Sequence, residues 1–417
     1  MEYIVIFNYI ISILFTVCYF YQFIYVFVGL LKKTVKLKEK KKHKYAVVVS
    51  ARDEETVIGN FVHSIKEQDY PQELIDVFVV ADNCKDKTAE VAEAAGAICY
   101  KRKNKKLVGK GYALDWLFEK IKKEHSDKGY EAFIIFDADN VVDSQFIDEM
   151  NKVFDSGYRI ITSYRNSKNY DTNWITAGYS LWFLREARYL NNARMQLGTS
   201  CAVSGTGFLV SAELIEENGG WPYHLLTEDI EFTTDSIIKG EKIGYCPKAI
   251  LYDEQPTGFY QSYKQRLRWA KGFIQVFMRY WKGLFFGIFK GNFSCYDMFM
   301  TLMPAIVVTV LGVIVNLIAI PVGAVSNTFD VLIFVDGLAR TVISIYMMFF
   351  VMGLLTTVTE WKQIHCSKIK KILYLFTFPI FMLTYVPISL VALFVQVKWE
   401  RIEHKVVKTV DDVKKRK

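Results

Sequence analysis

The sequence predicts an α/β domain on a mostly parallel sheet, flanked by membrane-spanning helices. Three observations predict it. Between residues 45 and 260, short apolar runs alternate with helical stretches, the mark of βαβ units. Acidic residues close several of those runs, at the strand ends where open α/β sheets bind ligands. The apolar excess is concentrated at the two ends of the chain, in runs exceeding the ~20 residues that span a bilayer.

Residues 3–31 carry no charged side chain, and Glu2 stands where a cleavable signal would be basic. They predict a membrane anchor over 1–31. Lys32–Lys44 (KKTVKLKEKKKHK) follows as a basic linker. The positive-inside rule makes it cytoplasmic, with the N-terminus outside. Tyr45–Ser50 (YAVVVS) and Ile75–Ala81 (IDVFVVA) read as buried strands, each followed by a helix, and Ile98–Tyr100 as a third. Val108-Gly109-Lys110-Gly111 opens a helix over Tyr112–Lys123. A glycine-rich turn there favours anions, although it is more often only a cap.

Ala132–Phe136 is the central buried strand and Ile160–Ser163 a further one. Trp174–Met195 predicts a long amphipathic helix. Ser204–Gly207 precedes a strand at Phe208–Val210, and Leu225–Asp229 starts a helix to about Lys239. Tyr263–Gly272 (YKQRLRWAKG) predicts a helix, with Phe273–Lys290 lying on lipid headgroups. Three apolar spans follow, roughly 298–324, 329–356 and 372–397. The loop Thr357–Lys371 and the tail from Lys398 are both basic. Three full crossings would leave that tail outside, against the charge rule. Pro379 and Pro387 therefore predict that the last span is broken or re-entrant.

At 417 residues, 52% hydrophobic and 15% aromatic, the chain is too apolar for disorder and has room for two or three domains. Its net charge of +8 gathers beside the apolar spans. That suits a membrane surface, and no motif for nucleic acid is present. Seven cysteines without CxxC spacing indicate neither a zinc site nor a disulfide framework, which points to a reducing, cytosolic face.

The chemistry centres on Tyr130–Asp143 (YEAFIIFDADNVVD). Side chains two apart share a face of a strand, so Asp137 and Asp139 can point together beyond its carboxyl end. Two hard carboxylates there suit Mg²⁺ or Mn²⁺ held jointly with substrate phosphates. A plain strand-to-turn junction is the competing reading. Thr227 could cap the helix that follows it, with Glu228 and Asp229 in the first turn as the helix dipole prefers. Gln265, Arg268 and Trp269 fall at i, i+3 and i+4, one helix face on which an amide, a guanidinium and an indole can meet diphosphate and sugar.

In this order SARDEE, VVADNCKDKT, GKGYAL, FDADN, GTG, TED and QRLRW resemble the family 2 inverting glycosyltransferases. They are most similar to the membrane-embedded branch that includes hyaluronan, chitin, cellulose and poly-N-acetylglucosamine synthases. The resemblance covers about residues 45–275. It implies a GT-A-type domain and transfer of a hexose or N-acetylhexosamine. The donor would be a UDP-sugar and the metal a divalent cation. Glu54 and Asp82 then match positions lining the base and ribose, and Lys110 a basic position near the nucleotide. Asp137 and Asp139 match the metal-binding pair, Asp139 foremost. Glu228 and Asp229 belong to the TED motif, Asp229 as general base, and Gln265, Arg268 and Trp269 match Q-x-x-R-W. One departure stands out: Ala81 precedes Asp82 where the family usually has a second aspartate.

The expected division is an anchor (1–31), a linker (32–44), a glycosyltransferase domain (45–272), an interfacial segment (273–297), a membrane region (298–397) and a basic tail (398–417). The expected protein is integral to the plasma membrane with a cytoplasmic catalytic domain, extending a polysaccharide by β-linkage. Transfer of one sugar to a membrane lipid is the alternative. A non-catalytic scaffold is the third reading, and the full carboxylate set argues against it.

Overall fold

The computed structural model describes residues 2–31, 37–302 and 331–415. The expected span 298–324 and the start of the linker therefore lie largely outside the described residues. Among the described residues eight strands form one sheet: β1 (Tyr45–Ala51), β2 (Ile75–Asp82), β3 (Ile98–Arg102), β4 (Ala132–Asp137), β5 (Val141–Val142), β6 (Ile160–Ser167), β7 (Phe208–Ser211) and β8 (Ile243–Asp253). Their spatial order is β3-β2-β1-β4-β7-β6-β8-β5. The half built from β1 to β4 is parallel, as the alternating pattern predicts. The sheet as a whole is mixed, because β7 runs antiparallel to both β4 and β6.

Alternation along β1 divides the core. Ala46 and Val48 face one hydrophobic cluster, Val47 and Val49 the other, so the sheet is buried on both faces. Each fully buried Val, Ile or Phe contributes about 1.5–3 kcal/mol. Register then aligns the polar strand ends. Ser50 pairs with Asp137, Ala51 with Ala81, and Asp82 with Arg102.

The helices in chain order begin with α1 (Glu2–Leu30), α2 (Ile58–Lys66), α3 (Thr88–Ala94), α4 (Lys110–Glu124) and α5 (Phe146–Phe154). The stretch expected as one amphipathic helix is instead α6 (Trp174–Arg185), a π turn (Glu186–Asn191) and α7 (Asn192–Leu197). Nearly every position of α6 is buried, because β6 and the C-terminal helices enclose it. Next come α8 (Ala212–Glu217), α9 (Glu228–Lys239), α10 (Phe259–Phe289) and α11 (Phe293–Leu302). The chain ends with α12 (Val331–Thr359), α13 (Lys368–Leu383), α14 (Tyr385–Phe394) and α15 (Val410–Lys414).

Three of the described segments are long and apolar enough to cross a membrane: Tyr9–Leu30, Val342–Thr359 and Lys368–Phe394. The last is interrupted at Thr384, just before Pro387, which lacks the N–H that would continue the ladder. The chain on both sides of this broken segment touches the α/β domain. Before it, Tyr164 donates to Glu360 at 2.6 Å; after it, the backbone N–H groups of Lys405 and Val406 donate to Glu254 at 3.0 and 2.9 Å. Exposed Ile369, Ile372, Leu373, Phe376 and Ile380 form one stripe on α13. On α10, Met278, Trp281, Phe285 and Phe289 form another. α10 passes residue 272 without a break.

α13 docks on α6 where Gly178 leaves room. A Cβ at Gly178 would stand 2.3 Å from Phe381 Cγ. Overpacking of this kind costs about 1–3 kcal/mol. Gly178→Ala should therefore lower the thermal unfolding midpoint of the purified protein by several degrees. A midpoint indistinguishable from that of the unsubstituted protein would contradict the contact.

Candidate active site

The aligned strand ends open into one cleft. It is lined by all ten residues singled out from the sequence: Glu54, Asp82, Lys110, Asp137, Asp139, Glu228, Asp229, Gln265, Arg268 and Trp269. Lys110 sits at its centre. Its Nζ lies 2.5 Å from Asp137 Oδ1, 2.6 Å from the Gly205 carbonyl and 3.8 Å from Glu228. Burial disfavours its charge, but Asp137 and Glu228 outweigh that and hold it above the ordinary lysine range.

Asp139 is buried and accepts the backbone N–H of Glu254 at 3.0 Å. Next to it, Asp253 is bound by Arg165 Nε at 2.8 Å, and Arg165 also donates to the Ser204 carbonyl. Burial, with the Asp139 charge adding, pushes the Asp253 carboxyl up to about 6. Burial and the neighbouring Asp229 push Glu228 up to about 7 against the pull of Lys110. Asp229 is raised too, chiefly by burial, with backbone N–H groups of the first turn of α9 opposing.

Thr227 is the residue before α9, yet its hydroxyl makes no cap. It packs against Gly272, where a Cβ would come within 2.5 Å of it, and its Oγ1 is left without a partner. On α10, Gln265 Oε1 and Arg268 Nε are likewise buried and unpartnered. Buried polar atoms cost free energy when unsatisfied, and their clustering here marks a place for a polar ligand. Trp269 is held edge-on by Tyr179 and Phe183, ring centroids 5.7 and 6.2 Å away.

Asp82 is fixed by Arg102 Nη1 at 2.5 Å and by Asn83 Nδ2 at 3.0 Å, so a buried guanidinium accompanies the departure at Ala81. Glu54 meets His404 Nδ1 at 3.0 Å. Burial works against the imidazolium, yet Asp139, Glu54 and Glu254 push the His404 pKa up to about 10. The tail thus forms a wall of the cleft, with Trp399, Arg401 and His404 lining it and Trp399 stacked 5.1 Å from Arg52.

Sequence reasoning missed Arg165, Asp253, Arg102 and the tail. Asp253 closes β8 as Asp137 closes β4, and the same strand-end rule would have found it. A second groove, lined by Tyr260, Tyr263, Leu267, Val397 and Ile402, shares Gln265 and Arg268 with the cleft.

The donor set at Asp137 and Asp139 fits a divalent cation, since two hard carboxylates plus phosphate oxygens is a usual Mg²⁺ environment. Among the described residues the one group of three close donors lies elsewhere, at Asp53, Cys84 and Asp86. Those carboxylates already accept the backbone N–H groups of Lys85 and Thr88.

A family model described as "Glycosyltransferase like family 2" matches residues 43–272, more than half of the chain. The chain belongs to this family. A beta-monoglucosyldiacylglycerol synthase of Synechocystis is 25% identical to this glycosyltransferase over 57% of the chain and 49% of the relative. A poly-beta-1,6-N-acetyl-D-glucosamine synthase of Staphylococcus epidermidis is 24% identical over 56% and 55%. The chain spans about half the length of these relatives. The mannosyltransferase PcManGT of Pyrobaculum calidifontis, solved with GDP-Man and Mn²⁺, superposes with a TM-score of 0.58 at 15% identity, covering 92% of this chain and 98% of that one. The glycosyltransferase therefore has the GT-A-type fold expected of it.

The His404–Glu54 contact makes the tail part of the wall. His404→Ala should speed amide hydrogen exchange across residues 399–409 while β1–β4 keep their protection. Unchanged exchange in the tail would contradict this.

Proposed function

We propose that this glycosyltransferase is membrane-bound and moves a sugar, with inversion, from a UDP-sugar to a hydroxyl of an acceptor at the membrane surface. The observation that carries the reading is the division of carboxylates within one cleft. Asp137 and Asp139 lie at the end of β4, and Asp229 lies across the Gly205 turn in α9. A divalent cation, Mg²⁺ or Mn²⁺, would be held by Asp137 and Asp139 with the diphosphate and would supply positive charge to the leaving group.

Lys110 and Arg268 add fixed positive charge on the donor side, and Glu54 and Asp82 with its Arg102 support the nucleoside. Trp269 offers a ring face to the sugar. Asp229 takes the proton of the acceptor hydroxyl as its oxygen bonds to the anomeric carbon, while the bond to the diphosphate breaks and UDP leaves. Attack opposite the leaving group turns an α-linked donor into a β-glycoside. Uridine is inferred from the resemblance to the polysaccharide synthases. A GDP-sugar belongs in the donor panel, since the Pyrobaculum structure holds GDP-Man.

The acceptor we assign is a lipid-borne hydroxyl. The groove that joins the cleft at Gln265 and Arg268 opens between Tyr260 and Gln396, where the apolar helix α14 has just ended. The exposed apolar stripes of α10 and α13 support a bilayer surface beside it. A growing polysaccharide is the second reading, favoured by the Q-x-x-R-W resemblance. With the domain cytoplasmic, a tail packed on that domain is cytoplasmic too, and α13–α14 enters the membrane without crossing it.

The test pairs donor affinity with transfer. Asp229→Asn should keep the affinity for the UDP-sugar and lower transfer about 10²–10⁴-fold. In the unsubstituted protein the acid limb of kcat should lie above the ordinary aspartate range, because a raised pKa leaves the base protonated in mild acid. That limb belongs to Glu228 and Asp229 together. Near-normal transfer by Asp229→Asn would eliminate the base, and products longer than one added sugar would favour the polysaccharide reading.

A further inference from the structure

Among the carboxylates that line the cleft, one has no part in this chemistry. Glu186 begins the π turn between α6 and α7 and lines the cleft with Trp182 and Phe183, four and three residues before it. π turns are rare and are found frequently at functional sites.

The Glu186 side chain is half-buried and makes no hydrogen bond or ion pair with any described residue. Four other carboxylates of the cleft already have donors. Asp137 has Lys110, Asp139 the N–H of Glu254, Asp253 has Arg165, and Glu54 has His404. The nearby arginines are engaged elsewhere. Arg165 holds Asp253 and Ser204, Arg194 holds Asp297 at 2.7 Å, and Arg185 lies over Trp182 and donates to Gln22. Burial accordingly raises the Glu186 pKa, with the Arg194, Arg165 and Arg185 charges opposing and Asp229 adding to the rise. A carboxylate that lines the cleft with no donor from the described residues is free to accept a hydrogen bond from a bound hydroxyl.

Glu186 shares its wall with apolar rings. Trp182 and Phe183 flank it, Trp269 stands edge-on to Phe183, and the Asp229 charge is near enough to act on it. Ring faces that take C–H surfaces, beside a carboxylate that takes O–H donors, are what a sugar or polyol requires.

We propose that Glu186 is an acceptor-binding residue that accepts a hydrogen bond from a second, non-reacting hydroxyl of the acceptor while Asp229 serves the reacting one. The site would then select acceptors with neighbouring hydroxyls, whether on a glycerol headgroup or on a sugar, over acceptors with a single hydroxyl. This rests on the glycosyl-transfer reading above and adds the class of acceptor.

The experiment measures kcat and KM with three acceptors in detergent: 1-monooleoylglycerol with its vicinal diol, octyl β-glucoside with its sugar hydroxyls, and 1,2-dioleoylglycerol with one hydroxyl. Glu186→Ala should raise KM for the polyhydroxyl acceptors and cut their kcat/KM advantage over dioleoylglycerol about 10–100-fold, the range for a hydrogen bond to a charged group. Glu186→Gln, which still accepts through its amide oxygen, should recover part of the loss. Affinity for the UDP-sugar should stay unchanged and serves as the folding control. Preference for monooleoylglycerol over the glucoside assigns the diol to a glycerol headgroup, and the reverse assigns it to a sugar. An equal loss with all three acceptors, a loss of donor affinity, or an unchanged preference would overturn the proposal. An unsubstituted protein that transfers to none of the three would overturn the functional reading, and this inference with it.

Discussion

The ammonium of Lys110 is the contact on which the site depends. It joins the end of β4, the Gly205 turn and the first turn of α9, three segments that would otherwise bring repelling carboxylates together. Its position depends on the glycines beside it. Gly109 holds φ at 140°, and a Cβ on Gly111 would stand 2.0 Å from the Tyr223 carbonyl. Only without side chains there can α4 start close enough for Lys110 to reach Asp137. Arg165 does for Asp253 and the Ser204 carbonyl what Lys110 does for the other side. Two cations thus distribute the negative charge of the sheet edge, while Asp229 has no cation in direct contact among the described residues, as its proposed role on the acceptor side requires.

The apolar ends of the chain are built into this domain. Tyr21 and Tyr25 of α1 donate to Asp297, which is also paired with buried Arg194 of α7. An ion pair removed from water survives only with such full hydrogen bonding, and breaking one partner typically costs about 3–5 kcal/mol. The node fixes α1 against the helix that carries the π turn. Arg266 donates to the Phe381 carbonyl at 3.3 Å and to Thr384 at 2.5 Å, which ties the break between α13 and α14 to the stretch of α10 that carries Gln265 and Trp269. Gln265, Trp269 and the π turn are thereby held by the same contacts that anchor the apolar helices.

Local patterns in the sequence carried far. The apolar runs of β1, β2 and β4 and the acids after them located the sheet edge, because a strand's period and its carboxyl end follow from a few adjacent residues. The spacing of Gln265, Arg268 and Trp269 gave one helix face for the same reason. Long-range contacts were not legible. His404 reaches Glu54 across 350 positions, so a tail legible in the sequence only as basic proves to be a wall of the cleft. Thr227 has the composition of a cap, but Gly272 opposite it leaves a space that its side chain fills. The π turn at Glu186 left no signal in apolar periodicity, because the helix is enclosed on nearly every side. The antiparallel β7 depends on pairing partners on both of its sides, and no single window of sequence contains them.

The central claim is that donor and base act from opposite sides of one anomeric carbon. Proton NMR of the first product, made by the purified protein from an α-linked UDP-sugar, tests it directly. The account predicts a β-anomeric signal with the large coupling of a trans-diaxial pair for a gluco-configured sugar, present from the earliest time point. An α-anomeric product would contradict it, since retention requires a second displacement for which this division of the carboxylates has no place.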